Sequence, residues 1–256
     1  MVSIIIPVYN AENYILDALR SALVQEVDKE IIVIDDCSTD KSLETVLSYV
    51  REHHNILKDK TRIIVRKNSR NMGVAATRNL GVGIAEGDYV AYLDADDMWT
   101  SDKLKKQLDF IEYKNSDICT TSREMIDENG ESLGFSIGFE NENISLKDIK
   151  RSNYINCSAV LAKKELMKKY PMKHDRDAHE DYYAWLLCLK NGAKVCNINE
   201  PLLKYRDIKG SKSHNKLKAA LMTFRTYRYA GYGFISSILM MPAYMINGMK
   251  KHKKII

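Results

Sequence analysis

Tyr89-Val90-Ala91-Tyr92-Leu93-Asp94-Ala95-Asp96-Asp97 decides the fold. Five apolar residues run without a polar break into a turn that carries three carboxylates in four positions. A short unbroken apolar run suits a strand covered on both faces, as in a parallel sheet flanked by helices. The pattern recurs upstream. Residues 30–34 form a second apolar run ending in Asp35-Asp36, and residues 2–8 are rich in Ile and Val. Pro7 predicts that this first strand stops there. Residues 61–66 read as a third strand. Between the strands lie helical patterns. Tyr14, Ala18, Leu19, Ala22 and Leu23 share a face within residues 10–25. Ser38-Thr39-Asp40 predicts a cap for a helix over 41–52. Residues 74–85 read as a helix ending near Gly87, and Ser101 as the cap of another through about 114. Strand–helix alternation with short links predicts an α/β fold. The expected sheet is doubly wound and mixed but mainly parallel, with helices on both faces. Ligands in such sheets bind outside the carboxyl ends of the strands. Asp35, Asp36, Asp94, Asp96 and Asp97 are therefore expected along one edge, in one cleft.

Past residue 114 the elements shorten. Residues 117–125, 158–162, 194–198 and 201–205 read as strands, and 163–169 and 181–190 as helices. The polar stretch 127–148, with Gly130, Gly134 and Gly138, predicts a hairpin or a mobile loop. Trp185, Leu186, Leu187 and Leu189 read as core. No repeat or low-complexity segment interrupts the chain.

The 256 residues are 45% hydrophobic and 29% charged, enough for one large core plus a tail. That excludes a disordered chain, a collagen and a disulfide miniprotein. Cys37, Cys119, Cys157, Cys188 and Cys196 include no CxxC pair, so reduced intracellular thiols are expected rather than structural zinc. The N-terminus lacks a basic region and reads as a strand, not a signal peptide. The net charge of +5 hides an asymmetry. Residues 204–256 hold 12 Lys and Arg against one acid, Asp207, whereas residues 1–203 hold 27 basic and 33 acidic residues. The tail's net charge of +11 points to an anionic partner. Within it, residues 230–249 carry no charge and are followed by Lys250-Lys251-His252-Lys253-Lys254. Gly, Ser, Pro and Asn dilute that run, so an interfacial or re-entrant segment is expected rather than a clean membrane span. Tyr227, Tyr229, Tyr232 and Tyr244 read as interface anchors or as the packing of an ordinary helical pair. No nucleic-acid motif accompanies the basic residues, so no nucleic-acid partner is expected.

Three constellations carry chemistry. Asp94-Ala95-Asp96-Asp97 can hold a divalent cation through one or two carboxylates, with phosphates filling the remaining positions. It can equally cap the next helix. An aspartyl-nucleophile phosphotransfer motif is set aside, because Met98 follows Asp97 where Thr or Val is needed. Asp35-Asp36 can accept hydrogen bonds from a nucleobase or ribose, or can simply shape a turn. In His179-Glu180-Asp181 an acid can serve as general base, or favour a helix N-terminus electrostatically. His53-His54 reads as solvated surface.

The combination is more specific than its parts. Val2-Ser3-Ile4-Ile5-Ile6-Pro7-Val8-Tyr9-Asn10 and Ile34-Asp35-Asp36-Cys37-Ser38-Thr39-Asp40 stand first. Asn71-Met72-Gly73-Val74-Ala75-Ala76-Thr77-Arg78-Asn79 and Leu93-Asp94-Ala95-Asp96-Asp97 follow. Together they resemble family 2 glycosyltransferases of the GT-A fold, in order and spacing. Glu180-Asp181 falls where that family has its ED motif. Tyr205-Arg206 with Ser211 and Ser213 resembles a segment common in its polysaccharide-assembling bacterial members. The resemblance covers roughly residues 2–215.

It implies an inverting transferase that uses a nucleotide-diphospho-sugar and Mn²⁺ or Mg²⁺. By resemblance, Asp35 and Asp36 contact the nucleobase, with Pro7 and Tyr9 beside it. Asp94 touches the ribose or sugar, and Asp96 or Asp97 holds the metal. Asp181 is the catalytic base. Arg78 contacts the donor and Arg206 the diphosphate. Trp99, His179 and Glu180 are accessory or acceptor-side candidates. The expected domain spans residues 1–215, with a nucleotide-sugar half to about 115 and an acceptor half beyond it. Residues 216–256 form an amphipathic, basic, membrane-associating tail. The expected reaction moves a hexose or N-acetylhexosamine from a UDP-sugar to a hydroxyl of a polyprenyl-diphosphate-linked glycan. It belongs to O-antigen, capsule or exopolysaccharide assembly, on the inner face of the cytoplasmic membrane. Two other classes compete. One is a non-catalytic nucleotide-sugar or membrane-binding module. The other is a nucleotidyltransferase, which would show a glycine-rich basic loop where Pro7-Val8-Tyr9-Asn10-Ala11-Glu12 stands. A glycoside hydrolase would need two carboxylates and no diphosphate site.

Overall fold

The computed structural model describes residues 1–53, 61–175, 177–208 and 216–253. His54, Ser211 and Ser213 lie outside the described residues. The chain runs β1 (Val2–Val8), α1 (Ile15–Leu23), β2 (Lys29–Asp35), α2 (Ser42–Glu52), β3 (Arg62–Lys67), α3 (Val74–Ile84) and β4 (Tyr89–Tyr92). It continues with β5 (Met98–Trp99), α4 (Lys103–Tyr113), β6 (Ile118–Ile126), β7 (Ser132–Ile137), β8 (Asn143–Ile144) and α5 (Leu146–Arg151). A 3₁₀ turn (Cys157–Ala159) leads to β9 (Leu161–Lys163), α6 (Lys164–Lys169), α7 (Glu180–Lys190) and β10 (Val195–Arg206). Two C-terminal helices close the chain, α8 (Lys216–Tyr229) and α9 (Phe234–Lys253).

One sheet runs β3-β2-β1-β4-β9-β6-β10-β5, with β7 on β6 and β8 on β10. The first four strands are parallel, as are β6 and β10. β9 is antiparallel to both neighbours and joins the two parallel blocks. This is the mixed, mainly parallel α/β sheet expected. Side chains alternate between two cores, as the pleat requires. Ile4 and Ile6 of β1, Ile31 and Val33 of β2, and Leu93 pack with α1 on one face. Ile5, Ile32, Ile34, Val90 and Tyr92 pack with α3 and α7 on the other.

Pro7 does not end β1, which pairs with β2 through Val8. It ends the other ladder. Leu93 N donates to Ile5 O at 3.0 Å. The next parallel rung would need an N–H on Pro7, which has none. The chain after β4 is therefore released from the sheet into the acidic turn.

Several local expectations are corrected. Helix α4 begins after Asp102 with no side-chain cap, so Ser101 does not cap it. Gly87 does not terminate α3. It sits where a Cβ would meet Met1 O at 2.7 Å, and its N–H donates to Ser3 Oγ. Residues 195–206 form one strand, with a register shift around Pro201, rather than two. The stretch 127–148 holds a hairpin strand, β7, and the short β8. Helix α2 begins after Lys41 with no side-chain cap, so Ser38-Thr39-Asp40 does not supply its N-cap; Asp40, one residue further out, accepts Ser42 N at 2.9 Å. Trp185 and Leu186 are core as expected.

Helices α8 and α9 pack against the core. Tyr227 and Ala230 are buried in the cluster that holds α7, and Tyr232, Met240, Met241 and Tyr244 lie against it. Tyr227 and Tyr244 ring-stack around Tyr182 instead of pointing outward as anchors. Tyr229 is exposed.

Candidate active site

Arg78 is the hub of the cleft. Helix α3 carries it, buried, between two acids from distant parts of the chain. Its Nη2 donates to Asp94 Oδ1, and its Nη1 donates to Glu180 Oε1 at 3.1 Å. One guanidinium thus ties the acidic turn after β4 to the first residue of α7. Both acids are partly exposed while Arg78 is not. The pair of anions holds Arg78 charged well above its ordinary range despite burial. From its own motif Arg78 so joins the acidic turn to the Glu180-Asp181 pair, since a buried cation needs partners.

The end of β2 is likewise turned to internal use. Asp36 accepts hydrogen bonds from Met72 N at 2.8 Å, Gly73 N at 2.7 Å and Asn68 Nδ2 at 2.8 Å. It so fixes the loop that launches α3, where Gly73 has φ of 87°. Asp35 accepts Ser38 N at 3.2 Å. Pro7 is buried beside them, and Tyr9, half-exposed, stands at the mouth. Asn68 was not anticipated. Only its burial and its bonds to Asp36 and Thr77 reveal it.

In the turn after β4, Asp94 and Asp96 are half-buried and Asp97 is buried. Burial, followed by the neighbouring Asp94 charge, raises the Asp96 pKa to about 6. Burial and the charges of Asp96 and Asp94 push Asp97 well up. Asp97 Oδ1 accepts Arg206 N at 3.0 Å, while its buried Oδ2 has no partner among the described residues. Carboxylates held this close resist ionising together, and a cation would relieve them. Among the described residues no three His, Cys, Asp or Glu side chains are grouped to hold a metal by themselves. The donor set fits an ion that borrows the rest of its shell from phosphates and water.

Arg206 is buried behind this turn. Its Nε donates to Asp96 O at 2.8 Å and its Nη1 to Glu128 O at 2.7 Å, with Nη2 at 3.4 Å from Asp17. The guanidinium is engaged by protein, so Arg206 clamps the turn in place. Trp99 is also internal. It is buried, donates Nε1 to Ser158 O at 2.7 Å, and has Lys103 Nζ 4.0 Å above its ring. β5 pairs with β10 and turns that side chain into the core, so it does not line the cleft. Ser158, also unanticipated, receives Asp94 N on its Oγ at 3.1 Å.

Asp181, the second residue of α7, accepts its neighbour's Tyr182 N–H at 2.6 Å and forms no ion pair among the described residues. Burial and the adjacent Glu180 charge raise its pKa to about 7. Of the two acids, Glu180 is paired with Arg78 and Asp181 is not. His179 faces away. Its N–H donates to Thr226 Oγ1 at 3.0 Å, and Nε2 lies 3.3 Å from Ala219 O. It anchors α7 to α8, an element that no motif marked.

Known proteins resemble the chain throughout. The family model "Glycosyl transferase family 2" matches residues 3–174. WfaP of Escherichia coli, named a UDP-Glc:alpha-D-GlcNAc-diphosphoundecaprenol beta-1,3-glucosyltransferase, is 33% identical over 255 residues, covering 98% of this chain and 95% of WfaP. Of solved structures, S. aureus TarS 1-349 in complex with UDP-GlcNAc superposes with a TM-score of 0.70 at 21% identity, covering 94% of this chain and 70% of that one. The mannosyltransferase PcManGT of Pyrobaculum calidifontis, solved with GDP-Man and Mn²⁺, has a TM-score of 0.70 at 17% identity, covering 95% and 69%. With the motifs in one cleft and the family model over most of their span, this chain belongs to glycosyltransferase family 2 and is a glycosyltransferase.

Proposed function

We propose that this enzyme moves a hexose or N-acetylhexosamine from a UDP-sugar to a hydroxyl of a polyprenyl-diphosphate-linked glycan, with inversion, in cell-surface polysaccharide assembly. The carrying observation is the division of labour between Glu180, paired with Arg78, and Asp181, unpaired with its pKa raised to about 7. A base with that affinity takes a proton from a hydroxyl as the bond to carbon forms, and returns it to water at neutral pH. The hydroxyl oxygen attacks the anomeric carbon while the bond to the nucleotide diphosphate breaks on the opposite side. Bond order is conserved in one displacement, and no enzyme nucleophile is needed.

Asp35 and Tyr9 border the nucleobase end of the cleft, and Pro7 backs it. Asp36 acts there by holding the 68–73 loop. Asp94, oriented by Arg78, faces the ribose or sugar. Asp96, with Asp97 behind it, would hold Mn²⁺ or Mg²⁺. That ion, when bound, supplies positive charge to the leaving diphosphate. Arg206 serves the diphosphate through the turn it clamps. The acceptor's lipid would place the protein at the inner face of the cytoplasmic membrane, as a peripheral enzyme. The lipid-diphosphate acceptor in the name of WfaP supports that acceptor class, and the UDP-sugar in the TarS structure supports the donor class.

A panel of UDP-, GDP- and dTDP-sugars with a synthetic lipid-diphosphate acceptor, read by mass spectrometry, tests this. The expected product forms from a UDP-sugar and needs a divalent ion and Asp96. If no donor is turned over or bound with Mn²⁺, and Asp96→Ala behaves like wild type, the catalytic reading fails and a non-catalytic module takes its place.

A further inference from the structure

Helix α9 has two unlike faces. Ser237, Met240, Met241 and Tyr244 turn inward, Ser237 fully buried and the other three packed on the core around α7. The other face shows Phe234, Ile235, Ile238, Leu239, Met245 and Ile246, all exposed, with Ile235 and Leu239 at 73%. Their spacing follows the helical period, so they form one continuous stripe. No charged residue occurs between 229 and 249. Six large apolar side chains on one exposed strip exceed the scattered exposure normal for a soluble surface.

The surroundings select the occupant. The same helix runs into Lys250, Lys251 and Lys253, with Lys254 following, and residues 208–256 contain no acid. An apolar face beside a cluster of lysines matches the boundary between acyl chains and anionic headgroups. A second copy docked through this same face would set lysines against lysines, since residues 208–256 contain no acid. A transmembrane arrangement does not fit either, since among the described residues no helix is long and apolar enough to cross a membrane.

We infer that the Phe234–Ile246 face of α9 lies in the plane of an anionic bilayer, the basic sequence that follows this stripe favouring such a surface. This deepens the reading above by naming the surface that meets the membrane, and takes from that reading only the reason for being there. The position is productive. Tyr244, on the inner side, stacks 5.8 Å from Tyr182, the residue after Asp181. The bilayer is therefore about one helix diameter, roughly 10 Å, from the element that carries the base. A lipid-linked acceptor would have its diphosphate and first sugars at that height.

The test is co-sedimentation of the full chain with vesicles of phosphatidylcholine and phosphatidylglycerol, with no sugar donor or acceptor present. Wild type is expected to bind, and more weakly to phosphatidylcholine alone or at high salt. The double variant Ile235→Glu/Leu239→Glu should lower the partition by about tenfold or more. Its circular dichroism and melting should match wild type, because both positions face solvent. Equal binding by wild type and variant, or no binding by wild type, overturns the inference. So does a wild-type dimer in sedimentation equilibrium that the variant dissociates, which would make a second copy the occupant. Because the assay needs no turnover, it can fail while the transferase reading stands, and the reverse.

Discussion

Arg78 shows how a single side chain can unify motifs that are far apart in sequence. Its two acidic partners are 16 and 102 residues away. Replacing it with Met leaves Asp94 and Glu180 facing each other without a cation. The expected loss is about 3 kcal/mol of stability, the low end for a broken buried pair because both acids are partly exposed. Urea denaturation measures it. At Asp181, the rate and the stability should move oppositely with pH. The carboxyl must be ionised to act, so kcat/KM should fall about tenfold per unit below about pH 7. Its proton is held more tightly in the folded chain than in the unfolded one. That contribution is full below the unfolded pKa, near 4, and is lost as pH rises through about 7. Asp181→Asn should therefore be more stable than wild type at pH 8 and about equal at pH 4. Its kcat should fall by roughly 10²–10⁴-fold, and Glu180→Gln should cost less than that. A larger loss for Glu180→Gln would move the base to Glu180. The sequence shows these acids but not their division of labour, because that depends on which one Arg78 reaches.

Helix α3 links the loop held by Asp36 to Glu180 of α7, and its two inner glycines have different environments. A Cβ on Gly81 would stand 2.5 Å from Ile5 Cγ2 of β1, whereas one on Gly83 would meet nothing within 4 Å. Gly81→Ala should destabilise by about 1–3 kcal/mol through overpacking. Gly83→Ala, at an open helical position, should stabilise by up to about 1 kcal/mol. Opposite shifts in urea midpoint check the pair, and like shifts would show that α3 does not press on β1 as described. The strands were legible because a buried parallel strand must be apolar on both faces, as Val2–Val8 and Lys29–Asp35 largely are. The helix ends were less legible. Gly87 has the chemistry of a stop, but it is needed for close approach to Met1 and Ser3, and Ser101 lies outside a helix whose N-cap position is Asp102. Trp99 misled for a related reason. It follows the catalytic turn directly, yet β5 has already rejoined the sheet and carries it inward.

At the scale of the whole molecule, α8 and α9 belong to the catalytic core as well as to the surface. Tyr182 Oη donates to Tyr227 Oη at 3.1 Å, Tyr227 Oη donates to Lys150 O, and His179 is held by Thr226. Removing residues 217–256 is therefore expected to uncover the core around α7 and to lower the melting temperature together with activity, as a thermal scan would show. A truncation that melts like wild type would show that these helices merely rest on the domain. Composition marked this region as basic and apolar, which describes its outer side. Its inner contacts come from Tyr and Thr residues with no motif, so only the packing discloses them. The sheet as a whole places the ends of β1, β2 and β4, the start of α3 and the start of α7 around one cleft. The central claim is that a base on α7 and a nucleotide diphosphate at the strand ends act from opposite sides of one sugar. Proton NMR of the product's anomeric centre tests it most directly. The expected product has the configuration opposite to that of the donor sugar, and a product that retains the donor's configuration would contradict a single displacement assisted by Asp181.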